Sequence, residues 1–249
     1  MKSAIVTGAS SGIGLEITKM LIRNNYKVYG FARDFSKTNF EHINFIKENC
    51  DITKTNSLEE KIKNIKKMDK KIYILVNNAG VGYYGPHEEI NIKNLKNMIA
   101  TNLEAPIILS HLLLRDLKKN KGYIINISSV TAKKASPIGC AYSATKAGLT
   151  HFSESLFEET RKSGVKVVTI HPDMTKTNFY NNAYFREGDL PESYITGECV
   201  AQAVKMILNQ REGTILTDIT IKPQKHMITK KNTIKNKYKE TKKIKDNRV

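Results

Sequence analysis

YIINISSVTAKKASPIGCAYSATK, residues 123–146, opens on an apolar, β-branched run at 124–127 that Ser128 and Ser129 close. The chain then turns through Ser136, Pro137 and Gly139 and enters a helix near Tyr142. A short apolar run without alternation reads as a strand buried on both faces, as in parallel sheets covered by helices. Ser129 falls at the carboxyl end of that strand, where open α/β sheets hold their ligands. Tyr142 and Lys146 are four residues apart, so they project from one helix face. Such spacing is also common on solvated helices, and its meaning depends on the rest of the chain.

The residue types suit one chemistry. A free phenol titrates near ~10, too high for ready proton exchange at neutral pH. A neighbouring ammonium favours the phenolate, which predicts a lowered pKa for Tyr142. The phenol is then a usable acid or base for interconverting a carbonyl and an alcohol. Ser129 can donate to the same oxygen as charge develops on it.

Upstream, residues 4–7 read as a short buried strand, followed by Gly8, Ala9, Ser10, Ser11, Gly12, Ile13 and Gly14 and then a helical pattern. Strand, glycine turn and helix together offer backbone N–H groups and a helix N-terminus to a pyrophosphate. The spacing is G-x-x-x-G-x-G, which differs from the usual G-x-G-x-x-G. Further strands are predicted at 27–31, 43–46 and 72–76, with a very short crossover helix between the first two. A lysine-rich helix is predicted at 55–68 and a long helical stretch at 91–118, which contains Asn102 and Pro106. A proline in a helix interior removes a hydrogen bond and bends the axis, so Asn102 beside it marks an irregularity. Beyond Lys146 the pattern predicts a helix over 141–162 and a strand over 165–170. A lid-like loop with Tyr180 and Tyr184 follows over 178–196, then a helix over 197–208 and a last strand over 214–221. His171, beside Pro172, reads as a strand-end residue.

At 249 residues the chain suits one α/β domain, taken as residues 1–223. Residues 224–249 are rich in Lys, Asn and Thr without apolar periodicity, and read as a disordered tail. The formal net charge is +17. This excess reads as lysines spread over solvated faces, and the tail leaves nucleic acid as a minor alternative. Cys50, Cys140 and Cys199 lack the spacing of a disulfide frame or a metal site, so no metal is expected. No apolar run reaches the ~20 residues of a membrane span. With Met1-Lys2-Ser3 leading directly into a strand, the expected location is cytoplasmic.

Taken together, these motifs resemble the short-chain dehydrogenase/reductase family from residue 2 to about 223. Thr7-Gly8-Ala9-Ser10-Ser11-Gly12-Ile13-Gly14 matches its TGxxxGIG turn and Asn77-Asn78-Ala79-Gly80 its NNAG. Asn102, Ser129, Tyr142 and Lys146 follow the order and spacing of its catalytic tetrad. Asp51 and Ile52 match the pair that flanks the adenine, and Thr177 the threonine that holds the carboxamide. The resemblance implies a Rossmann-type, doubly wound parallel sheet of about seven strands in a three-layer sandwich. It also implies that Tyr142 exchanges the proton, Lys146 lowers its pKa and binds the nicotinamide ribose, Ser129 positions the carbonyl and Asn102 holds a relay water. A homodimer or homotetramer built on 91–118 and 141–162 is the family precedent.

NADP(H) is preferred over NAD(H) on this reading, because the second strand ends Ala32-Arg33. Ala32 stands where NAD enzymes carry an acid, and a guanidinium pairs well with a 2′-phosphate. Asp34, one residue further on, is the complication. Two departures from the family stand out. Asp173 replaces the glycine that usually follows the proline, and the ending DITIKPQKH lacks the aspartate–glycine–glycine of ketoacyl reductases. The expected activity is therefore hydride transfer between NADP(H) and a small hydroxy acid, ketone or similar compound. A 3-oxoacyl-carrier-protein reductase and a cofactor-sensing regulatory protein are the alternatives.

Overall fold

A computed structural model describes residues 1–181 and 183–231. Strands β1 (Ser3–Thr7), β2 (Lys27–Ala32), β3 (Phe45–Asn49), β4 (Ile72–Asn77), β5 (Tyr123–Ile127), β6 (Lys166–Pro172) and β8 (Asp218–Ile221) form one sheet. Its order is β3-β2-β1-β4-β5-β6-β8 and every pairing is parallel. The helices are α1 (Gly12–Arg23), α2 (Thr55–Met68), α3 (Ile92–Ile99), α4 (Ala105–Asn120), α5 (Cys140–Thr160) and α6 (Gly197–Leu208).

Strand side chains alternate between two separate cores, as the period of two requires. Ala4, Val6, Ile74, Val76, Ile125 and Ile127 face α1 and α6, meeting Ile17, Leu21, Val200 and Val204. Ile5, Leu75 and Ile124 face the other way, against Leu58 and Ile62 of α2, Leu109 and Leu113 of α4, and Leu156 of α5. Each fully buried aliphatic side chain contributes about 1.5–3 kcal/mol, so sheet and helix layers hold one another in place. The chain leaves β1 toward β2 and β3 on one side and returns to β4 on the other. The carboxyl ends of β1 and β4 therefore diverge into the crevice where such sheets bind ligands.

Several expectations are corrected. No helix lies between β2 and β3, and the third strand runs Phe45–Asn49, two residues later than expected, with Ile43 exposed. The helix expected over 91–118 is interrupted by a π-helical turn at Ala100–Glu104 before α4 begins. Pro106 explains this: it brings no N–H to the Asn102 carbonyl four residues back, and the turn widens. The last strand of the main sheet is shorter than predicted. Two short strands were not anticipated at all. β7 (Phe185–Glu187) pairs antiparallel with β9 (Ile228–Lys230), so part of the supposed tail is ordered against the supposed lid. The remainder of the tail, 232–249, lies outside the described residues.

Candidate active site

The carboxyl ends of β1, β4, β5 and β6 open into a cleft of about 480 Å³. Gly8, Ser10, Ser11, Gly12 and Ile13 line one end with Arg33, Asp51 and Ile52. Asn78, Ala79 and Gly80 line its middle, Ser129, Tyr142 and Lys146 its far end, and Thr177 the wall beside the glycine turn. Gly14 and Asn102 stand behind the lining. The sequence-predicted residues are thus brought together on one cavity and its supports.

The glycine turn is shaped by close backbone contacts. Gly8 has φ +67°, and a Cβ on Gly14 would lie 2.2 Å from the Gly8 carbonyl oxygen. Only a bare backbone fits there. Ser11 at the start of α1 makes no side-chain cap, and the first turn holds no acid, so the helix N–H groups and dipole face the cleft without internal compensation. Thr177 stands across from Gly12. Asn78 fixes the next wall: its Nδ2 donates to the Thr7 carbonyl at 2.8 Å. The N–H groups of Asn78 and Ala79 donate to Thr7 Oγ1, each at 3.0 Å. This open, donor-rich turn fits a dinucleotide pyrophosphate.

At the outer end, Arg33 lines the cleft while Asp34 does not. Both Asp34 carboxylate oxygens are taken by Ser36, from its N–H at 2.8 Å and its hydroxyl at 2.6 Å. Those bonds, the hydroxyl's first, lower the Asp34 pKa. Burial raises the Asp51 carboxyl, but bonds from the Thr53 hydroxyl and N–H and the charge of Arg33 outweigh it and leave the pKa lowered.

Asn102 is fully buried and its side chain is wholly engaged. Nδ2 donates to the Val81 carbonyl at 2.8 Å and to Thr145 Oγ1 at 3.1 Å, and Oδ1 accepts from Val81 N–H at 2.8 Å. It therefore ties the loop after β4 to α5. Pro106, which has no N–H, deprives the Asn102 main-chain carbonyl of the α-helical donor.

Ser129 Oγ accepts from Thr131 N–H at 3.2 Å and from Thr131 Oγ1 at 3.0 Å, so its own hydrogen is not used on Thr131 and points toward the Tyr142 side of the cleft. Behind it, fully buried His171 bridges the Ser129 carbonyl (Nδ1, 3.1 Å) and Asp218 (Nε2, 2.9 Å). Asp218 also receives Lys133. Lys146 Nζ donates to the Ile127 carbonyl at 2.8 Å and sits 5.9 Å from the Tyr142 ring centroid.

Burial pushes the Tyr142 phenol up to about 12, against hydrogen bonding from Ser129 and Tyr84 that favours the phenolate. Burial also brings Lys146 down to about 8. The expected fall of the tyrosine pKa is therefore not found, because desolvation exceeds every favourable contact.

Three aromatic residues close the far end. Phe179 and Tyr180 line it, with Phe179 5.8 Å from Tyr142 between ring centroids. Tyr84 packs behind, tilted against Tyr142 at 5.5 Å and edge-on to Phe185 at 5.0 Å. Neither Tyr84 nor Phe179 was singled out from sequence. The only signal was the density of aromatics in Tyr83-Tyr84 and Phe179-Tyr180 beside turns. Asp173 also lines this end, and its Oδ1 accepts from Met174 N–H at 2.9 Å.

A doubly wound sheet, a glycine turn at its crevice and a serine, tyrosine and lysine beside it define a dinucleotide-dependent oxidoreductase. The model of the short chain dehydrogenase family matches residues 2–187, and the chain belongs to that family. A probable short-chain type dehydrogenase/reductase of Helicobacter pylori, VdlC, is 34% identical over 73% of this chain and 68% of its own. A 3-oxoacyl-[acyl-carrier-protein] reductase of Buchnera aphidicola is 32% identical over 88% of this chain and 94% of its own. Among solved structures, the closed form of serine dehydrogenase complexed with NADP+ is 25% identical, covers 89% of this chain and 94% of its own, and has a TM-score of 0.80. Another structural neighbour is complexed with NADH. The chain is an NAD(P)-dependent oxidoreductase. Among the described residues, no helix is long and apolar enough to cross a membrane.

Proposed function

We propose that this chain interconverts a small carbonyl compound and its alcohol with NADP(H) in preference to NAD(H), and that Tyr142 moves the proton. The observation that carries the reading is the shared cleft: Ser129, Tyr142 and Lys146 line one end, and the glycine turn and Arg33 the other. A bound nicotinamide supplies or accepts the hydride. The chain's own residues do the rest. Tyr142, protonated at neutral pH, gives its hydrogen to the carbonyl oxygen in reduction. Ser129 donates to the same oxygen, because Thr131 uses only its acceptor capacity. Lys146 keeps two hydrogens beyond the one given to Ile127, available for ribose hydroxyls. The Asn102 carbonyl, which has no α-helical donor because Pro106 lacks an N–H, would hold a water between Lys146 and solvent. The NADP(H) preference is supported by Arg33 in the cleft and by Asp34 turned onto Ser36, and the NADP+-bound relative agrees with it.

The test is a screen of hydroxy acids, sugars, ketones and an acetoacetyl thioester, following absorbance of the reduced nicotinamide. Tyr142→Phe should lower kcat by ~10²-fold or more with NADPH affinity unchanged, as loss of a general acid requires. Retention of a tenth of wild-type kcat would refute the role of Tyr142. Preferential turnover of the thioester would favour the carrier-protein reductase instead.

A further inference from the structure

The segment after β8 returns across the face of the molecule and binds the loop that follows β6. β9 pairs with β7 in register Phe185↔Lys230, Arg186↔Thr229 and Glu187↔Ile228. The contact continues at both ends. Lys225 N–H donates to the Glu192 carbonyl at 2.8 Å, and Lys231 N–H to the Tyr184 carbonyl at 2.7 Å. The Lys231 side chain then reaches further. Its Nζ donates to the Tyr180 carbonyl at 2.6 Å and to the Asn181 carbonyl at 3.1 Å.

These two carbonyls end the short 3-10 turn Asn178–Tyr180, which carries Phe179 and Tyr180 into the cleft wall. The Tyr180 carbonyl also accepts from the Ala183 N–H at 3.0 Å, and the ammonium adds charge-assisted bonds to it and to the Asn181 carbonyl that clamp the turn end. Phe185, fixed by β9, packs at 5.4 Å on Tyr180 and 5.0 Å on Tyr84, and Tyr84 packs on Tyr142. The strap thus holds the aromatic wall from outside at two places, through backbone pairing and through Lys231.

We infer that Lys231 is a positioning residue that, with β9, fixes the Phe179–Tyr180 wall and so sets substrate affinity. This rests on the proposed function, which puts the substrate carbonyl at Tyr142 and Ser129, at the cleft end that Phe179 and Tyr180 close. Hydrogen exchange tests the physical part without any substrate. In full-length Lys231→Met, which keeps the alkyl stem, amides in 178–181 and 183–187 should exchange about tenfold faster or more, as local opening becomes easier. Amides of β1, β4 and β5 should be unchanged.

The catalytic arm uses the best carbonyl compound from the screen. KM should rise about fivefold or more with kcat within about twofold, the pattern for lost uniform binding. NADPH affinity should hold, and Lys231→Arg should restore both readouts. Unchanged exchange in Lys231→Met would overturn the strap. Faster exchange with an unaltered KM would overturn the positioning role, and so would a uniform loss of protection with a lower melting temperature. If no carbonyl compound is turned over, the functional reading fails while the exchange arm still decides the strap.

Discussion

Replacing Lys146 by methionine should stabilise the protein while it destroys activity. Burial lowers this lysine from an ordinary 10.5 to about 8. That is a cost to the folded state of roughly 3 kcal/mol near neutral pH, at ~1.4 kcal/mol per pH unit. Methionine fills a similar volume and carries no charge. It also leaves the Ile127 carbonyl without its 2.8 Å donor, which costs about 1–2 kcal/mol. The net gain is roughly 1–2 kcal/mol, a rise in Tm of about 3–6 °C for a chain of this size.

The pH dependence gives the argument its sign. Below about 8 the lysine is protonated in both folded and unfolded chains, and the wild type bears the whole penalty. Between about 8 and 10.5 the unfolded chain holds more protons, so wild-type stability rises with pH relative to the variant. The advantage of Lys146→Met should therefore be largest near neutrality and shrink as pH rises through that window. Thermal unfolding by far-ultraviolet circular dichroism, run in pairs at about pH 7 and about pH 10, measures it. A variant that melts below wild type near neutrality, or an advantage that does not change with pH, would refute the reasoning.

Arg33→Ala should raise KM for NADPH about tenfold or more while moving that for NADH by less than about twofold, since only the former loses a charge-assisted pair. Equal effects on both cofactors in steady-state assays would argue against a role at the 2′-phosphate. Gly14→Ala should fold poorly or fail to bind NADPH, because its Cβ would stand 2.2 Å from the Gly8 carbonyl oxygen. Cofactor titration by fluorescence checks this. A variant that binds NADPH like wild type would mean that the turn relaxes cheaply.

Most of the main sheet and both of its helical layers were legible because long buried elements carry strong patterns. α2 and α6 have the predicted bounds, since their apolar residues recur at helical spacing against a fixed sheet. Most motif residues meet in one cleft for the same reason, since they follow a strand or open a helix, while Asn102 sits in the widened turn and Lys146 one turn further along α5 than Tyr142. What was hidden depends on partners distant in sequence. Ile228–Lys230 is three residues long, too short for any period, and is a strand only because Phe185–Glu187 lies beside it. The widened turn at 100–104 was signalled by Pro106, but a proline does not say how a helix will accommodate it. Nor could spacing reveal that Tyr142 is buried deeply enough to rise to about 12 beside a lysine.

Asp218 lies on the outer strand of the sheet with its side chain 40% exposed, a position that a survey of pocket residues would pass over. Yet it joins Lys133 at the surface to His171 inside, and His171 bonds to the carbonyl of Ser129. Solvent-side chemistry therefore has a short route to the serine that lines the cleft. Immobilising or labelling the protein through its amines is an everyday instance, since acylating Lys133 would free one oxygen of Asp218 and alter the restraint on the imidazole. A preparation coupled at that lysine and one coupled at Lys93 would differ in catalysis despite equal loading, and a surface redesign should keep the Lys133–Asp218–His171 line intact.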